Sequence, residues 1–189
     1  MASVGMMHPV WAAFKSHTPG QKPVYEAGRV LAEAVSSDIT IRRSSAANYG
    51  DNREVDRDNS VTGIDLSMTV TDVTLEDKAA MLGYVKHGED YDLAADATPY
   101  GGLGYVEAIR HAGETRFVGW WLYKVQLGMA SIGHRTKESE VAFNNPTMTG
   151  GGMGLVVADD QKTVFFANHE FTTEAEAIAW VDEKAGVTA

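Results

Sequence analysis

The segment at residues 103–127 constrains this chain more than any other. Its centre reads GYVEAIRHAGETRFVGWWLYKV. Two runs rich in β-branched and aromatic residues flank a short turn, Ala112-Gly113-Glu114, the pattern of a β-hairpin. In the second run Phe117, Trp121, Tyr123 and Val125 share one face at period two, and Val118, Trp120 and Leu122 share the other. A strand apolar on both faces has to be covered on both sides. One cover is expected from a second sheet of the same domain. The other has to be a helix or a neighbouring molecule.

The rest of the chain is expected to form one domain. Its 189 residues suit a single core, and a domain of this size buries roughly 70% of its unfolded surface. There is no cysteine, which removes disulfides, thiolate metal sites and thiol nucleophiles. The formal charge is −10, a poor basis for holding nucleic acid, whose affinity rests on Lys and Arg. No run of about 18 apolar residues occurs, so no membrane helix is expected. The opening MASVGMMHPVWAAFKSHTPG has no basic region and no long apolar region, so it does not read as a signal peptide.

Residues 1–27 hold three of the five prolines, Pro9, Pro19 and Pro23, and read as an extended N-terminal arm with Val10, Trp11 and Phe14 as candidate anchors. Residues 28–189 read as the single domain. A strand pattern starts after Gly28, with Val30, Ala32 and Ala34 alternating against Leu31, Glu33 and Val35, and resumes at Ile39-Thr40-Ile41-Arg42. The polar stretch at about 48–60, NYGDNREVDRDNS, has no periodicity and reads as a long loop, well above hairpin length. Next, Ile64, Leu66, Met68 and Val70 alternate with Asp65, Ser67, Thr69 and Thr71, a half-buried strand. Thr74 and Asp77 are spaced to cap a helix whose apolar face is Leu75, Ala79, Leu82 and Val85, with Gly88 as its stop. Beyond the central hairpin, Val141 and Phe143 mark a short strand. Leu155-Val156-Val157 and Val164-Phe165-Phe166 flank a turn at Asp159-Asp160-Gln161-Lys162. Thr173 and Glu176 form a capping box for a closing helix with Ala177, Trp180 and Val181 as its stripe, Ile178 beside it and Gly186 as its stop. Seven to nine strands and two helices suggest an antiparallel β-sandwich with helices packed on it.

Concentrated chemistry is lacking. The six histidines, His8, His17, His87, His111, His134 and His169, show no metal-ligand spacing. Asp90, Asp92 and Asp96 lack the glycine and distal glutamate of a calcium loop and read as a solvated acidic loop. The run from Thr149 through Gly150, Gly151, Gly152 and Met153 to Gly154 lacks the Lys-Ser/Thr ending of a phosphate loop and reads as a flexible turn. Gly101, Gly102 and Gly104, beside the two-faced strand, suit close backbone approach or a bulge. Ser131 and His134 are near in sequence, which alone makes no triad, and there is no G-x-S-x-G elbow. No catalytic, cofactor-binding or metal residue is assigned, and the chain does not read as an enzyme.

An ordered series of short motifs resembles the major tail tube proteins of long-tailed, siphovirus-type bacteriophages, of the type common in phages of Gram-positive hosts. It begins with Pro9-Val10-Trp11-Ala12, Tyr25-Glu26-Ala27-Gly28-Arg29-Val30-Leu31 and Asn48-Tyr49-Gly50-Asp51-Asn52. Thr62-Gly63-Ile64-Asp65-Leu66, Thr74-Leu75-Glu76 and Leu82-Gly83 follow. Then come Pro99-Tyr100-Gly101-Gly102-Leu103-Gly104-Tyr105, Trp121-Leu122-Tyr123-Lys124-Val125, Thr136-Lys137 and Phe143-Asn144-Asn145-Pro146-Thr147 with Gly150. Phe171-Thr172-Thr173-Glu174-Ala175-Glu176-Ala177 closes the series. Glu138-Ser139 stands where that family usually has Gly-Glu, and Thr149 where it often has an acid.

The resemblance implies a mainly β protein: an antiparallel β-sandwich, the tail-tube fold, with one or two flanking α-helices including a C-terminal one. It implies a structural virion protein, assembled in the host cytoplasm, that forms six-membered rings stacked into the hollow phage tail tube. Implied partners are further copies of itself, the tape-measure protein, and the tail-tip and tail-terminator proteins. DNA would pass through the lumen without specific binding, and no membrane or cofactor is implied. On this reading Asp65 and Glu107 are candidates to line an acidic lumen, the long loop reaches an adjacent ring, and the arm and loop stay partly disordered until docking. Two other readings are the tube protein of a contractile injection device and a monomeric β-sandwich binding or decoration module.

Overall fold

A computed structural model describes residues 2–96, 98–129, 133 and 145–187. In chain order the elements are β1 (Ala2–Ser16), β2 (Val24–Tyr25), β3 (Arg29–Val30), β4 (Ala34–Arg43), β5 (Ala47–Gly50), β6 (Arg53–Arg57), β7 (Val61–Val70) and α1 (Leu75–Met81). They continue with β8 (Tyr84–His87), β9 (Asp90–Leu93), β10 (Tyr100–His111), β11 (Glu114–Met129), β12 (Thr147–Gly152), β13 (Leu155–Val156), β14 (Thr163–Val164), β15 (Phe166–Phe171) and α2 (Glu174–Ala185). The protein is mainly β, built on one large antiparallel sheet with two helices, the second near the C-terminal end. The strand expected at Val141 and Phe143, and the motifs at Ser131, His134, Thr136-Lys137, Glu138-Ser139 and Phe143-Asn144, lie outside the described residues.

The central hairpin is β10–β11. Its turn, Ala112-Gly113, has φ of 50° and 90°, the double positive φ that a tight two-residue hairpin turn requires. The sheet runs β2-β1-β10-β11-β12-β7-β4, with β3 added to β1 and β15 added to β11. It branches at β11: Phe117 to Leu122 pair with β15, and Val125 to Met129 pair with β12. The limb carrying β7 supplies Ile64, Leu66, Met68 and Val70, which pack with Leu103, Leu122, Leu127 and Met148 in one core.

The second face of the central strands is covered by the chain itself. Val10, Ala12, Val106 and Trp121 pack against Ala177, Val181 and Ala185 of α2, each fully buried. Burying side chains of this size stabilises by about 1.5–3 kcal/mol each for the larger ones. The helix forms as its sequence pattern predicts. Thr173 accepts from the Glu176 amide, the Glu176 carboxylate returns to the cap, and Gly186 at φ 66° closes the last turn.

Several expectations are corrected. The arm is extended but not free: β1 pairs with β10 from Ala2 to Ala13, and Val10, Trp11 and Ala12 are core. Its Pro9 sits at an irregularity between Met7 and Val10, beside His8 at φ 53°. The register between β10 and β11 also shifts, with Gly101 opposite Val125 but Leu103 opposite Leu122. One extra residue on β11 reverses the alternation, so Val125 lies on the face of Leu122 and not with Trp121 and Tyr123. Helix α1 keeps its Thr74–Asp77 capping box but ends at Met81, with Leu75 half-exposed and Val85 exposed on β8. Gly88 instead serves the turn between β8 and β9, at φ 68°.

Candidate assembly surfaces

The stretch expected as a long loop is a hairpin. β5 pairs with β6, with Tyr49 opposite Glu54 and Gly50 opposite Arg53, around Asp51 and Asn52 at φ 50° and 61°. Asp and Asn are among the few side chains tolerated there. Its base is tied by the Ser44 amide to the Ser60 carbonyl and the Asp58 amide to the Ala46 carbonyl, both at 2.8 Å. Every residue of β6 is exposed, and Tyr49 and Val55 expose 67% and 63% of their surface. Arg57 grips Glu54 through two hydrogen bonds of 2.7 and 2.9 Å. That fork holds the Arg57 guanidinium above its usual pKa, but at full exposure it adds little to stability.

Among the described residues β4 and β15 each leave a whole edge unpaired, as do the two-residue strands β2 and β3 and the first half of β1. β4 pairs only with β7, and β15 only with β11. They differ in length and sequence, so the two edges are unlike. Neither contains the Lys or Pro that commonly blunts an edge. The β4 and β15 ends of the branched sheet are therefore open to strand addition.

The outward face of β4, β7 and β12 is polar. Asp38, Thr40 and Arg42 lie beside Ser67, Asp65 and Gly63, and these lie beside Thr149 and Gly151. Arg42 approaches Asp65 at 3.3 Å, and the Thr69 and Thr147 hydroxyls meet at 2.8 Å. The face is rich in hydroxyls and nearly neutral. Glu107 is not on it. It sits on the face of Tyr105 and accepts a hydrogen bond of 3.0 Å from the Trp120 indole N–H. Asp65 and Glu107 are thus not brought together.

β12, expected as a flexible turn, is an interior strand between β11 and β7. Its glycines are a packing requirement: a Cβ on Gly150 would strike the Gln126 carbonyl, and one on Gly152 would strike Ile64. The expected close approach at Gly101 and Gly102 is present, with the indoles of Trp11 and Trp121 lying directly over them. Four of the histidines make structural contacts. His8 meets Asp182 at 2.8 Å, His17 the Val156 carbonyl at 2.9 Å, and His87 Asp92 at 2.9 Å, while His169 stacks with Trp180. Among the described residues no three His, Asp or Glu side chains are grouped to hold a metal ion. Asp92, from the expected acidic loop, lies on the β8–β9 hairpin. No described helix is long and apolar enough to cross a membrane. Compared with protein-family models and with curated proteins, the chain has no match.

Proposed function

We propose that this chain is the subunit of a hollow tube of the kind long-tailed phages use to deliver DNA, built from stacked hexameric rings. The observation that carries this reading is the β5–β6 hairpin. A lone two-stranded hairpin is marginally stable in water, and this one presents Tyr49 and Val55 to solvent while every residue of β6 stays exposed. A neighbouring ring would supply the missing partner. The unlike edges of β4 and β15 support lateral growth, because a heterologous contact between two different patches closes a ring or continues as a filament. The hydroxyl-rich face of β4, β7 and β12 suits a lumen wall, since it offers passing phosphates few cations to hold. Tape-measure, tail-tip and tail-terminator proteins are the further partners of this reading, and its setting is the virion.

One observation favours a monomeric binding module instead. Helix α2 already covers the second face of the central strands, so the domain needs no neighbour to complete its core. Negative-stain electron microscopy at low and high protein concentration separates the two. Six-fold rings or hollow tubes are expected. Monomers at every concentration, persisting after addition of tail-tip and tape-measure components, would overturn the tube reading.

A further inference from the structure

The main sheet curls until two of its free margins, on β1 and β4, face one another across a groove of about 450 Å³. One bank is the N-terminal half of β1, with Ser3, Gly5 and Met6. The opposite bank is the first half of β4, from Val35 to Ile39. β3 and β2 join β1 only from Val10 onward, so among the described residues the outer backbone edge of Ala2 to Met7 is unpaired. The facing edge of β4 is unpaired as well. Each bank therefore presents alternating N–H and C=O groups without a strand partner, the chemistry that recognises an extended peptide. The floor is aromatic and acidic. Tyr105 and Trp120 stack at 6.1 Å with 15° between their planes. Glu107 Oε2 accepts from the Trp120 indole, and its second oxygen accepts no hydrogen bond from the described residues.

We propose that this groove is an acceptor for one extended strand of another polypeptide that carries a lysine or arginine. The strand's backbone bonds to the free edge of β1 at Ala2 to Met7, and β4 walls the far side of the groove. Alternate side chains point to the floor, where the basic group meets Glu107 and the face of the aromatic pair. The indole bond pre-sets the carboxylate, so little ordering is lost on binding. The inference does not rest on the tube reading and needs no ring.

The test uses the full chain and capped six-residue peptides of alternating threonine and valine. One has a central lysine, one a central glutamate, and one has the lysine with alternate backbone nitrogens methylated. Amide hydrogen exchange and backbone NMR shifts are followed. Slowed exchange is expected within residues 2–7, with the lysine peptide bound about tenfold tighter than the glutamate peptide. Methylation should abolish binding, because it removes the strand's donors. Glu107→Gln should erase the lysine preference while leaving the chain's spectrum otherwise unchanged. Protection at the β15 edge instead, or a lysine preference that survives Glu107→Gln, overturns the proposal. Protection that grows with protein concentration and needs no peptide places a second copy in the groove and overturns it too.

Discussion

At the residue scale the chain depends on indole rings seated against bare backbone. Trp11 lies over Gly101, and Trp121 over Gly102 and Gly104. Any side chain there displaces a ring with no room to move, because both tryptophans are fully buried. Gly101→Ala is expected to cost about 2–4 kcal/mol, the overpacking range and above, read as a lower urea midpoint. Ionisable tyrosines set the alkaline limit. Burial pushes the Tyr105 phenol up to about 12 from 10.0. It raises Tyr25 further, and the Tyr25 hydroxyl donates to the Tyr123 carbonyl at 2.6 Å. A folded-state pKa above the unfolded one means stability is full below pH about 10 and is lost as pH rises through about 12. Unfolding free energy should fall across that window, and Tyr105→Phe should make the fall shallower by about 2–3 kcal/mol. An unchanged slope in that variant would sink the assignment.

At the element scale the legible parts were those that carry a core on one side or a cap at an end. Helix α2 was readable through Thr173, Glu176, Ala177, Val181 and Gly186, since each has a single local job. β7 was readable because Ile64, Leu66, Met68 and Val70 all face one core. Elements whose partner is remote were misread. β1 hides behind Pro9, tolerated at an irregularity where pairing with β10 shifts. β12 is glycine-rich because Gln126 and Ile64 crowd it, a fact no local pattern contains. β5 and β6 lack alternation because neither faces a core. That exposure also makes the hairpin the natural place for a mutational test. Reversing Arg53 and Arg57 to Glu removes the Glu54 fork and replaces both of the hairpin's cations with anions. Folding stability should change by no more than about 0.5 kcal/mol, as at other exposed sites, while the yield of tubes drops strongly. Wild-type tube yield from a folded double variant would count against the hairpin's role in stacking.

At the scale of the whole molecule, charge and topology have to be reconciled. The chain carries a formal −10, yet the candidate wall of β4, β7 and β12 holds few of those charges, and Arg42 offsets Asp65. A lumen built from this face would pass DNA because its cations are few and Arg42 is held by Asp65, more than because it repels phosphate. Debye screening over about 8 Å confines any repulsion to the wall itself. Adding cations is therefore the sharper test. Thr40→Lys and Thr149→Lys place two ammonium groups per subunit on the exposed side of this face, one opposite Asp65 and one opposite Ser67. Neither position is core, so on the tube reading the variant should still fold and assemble. A short DNA duplex mixed with those tubes should be retained, with an affinity that falls steeply with salt. It should also resist nuclease, because DNA held within a lumen is shielded. Duplex retained but digested would put the lysines on the outside of the tube. The lumen would then have to be assigned to another face of the subunit.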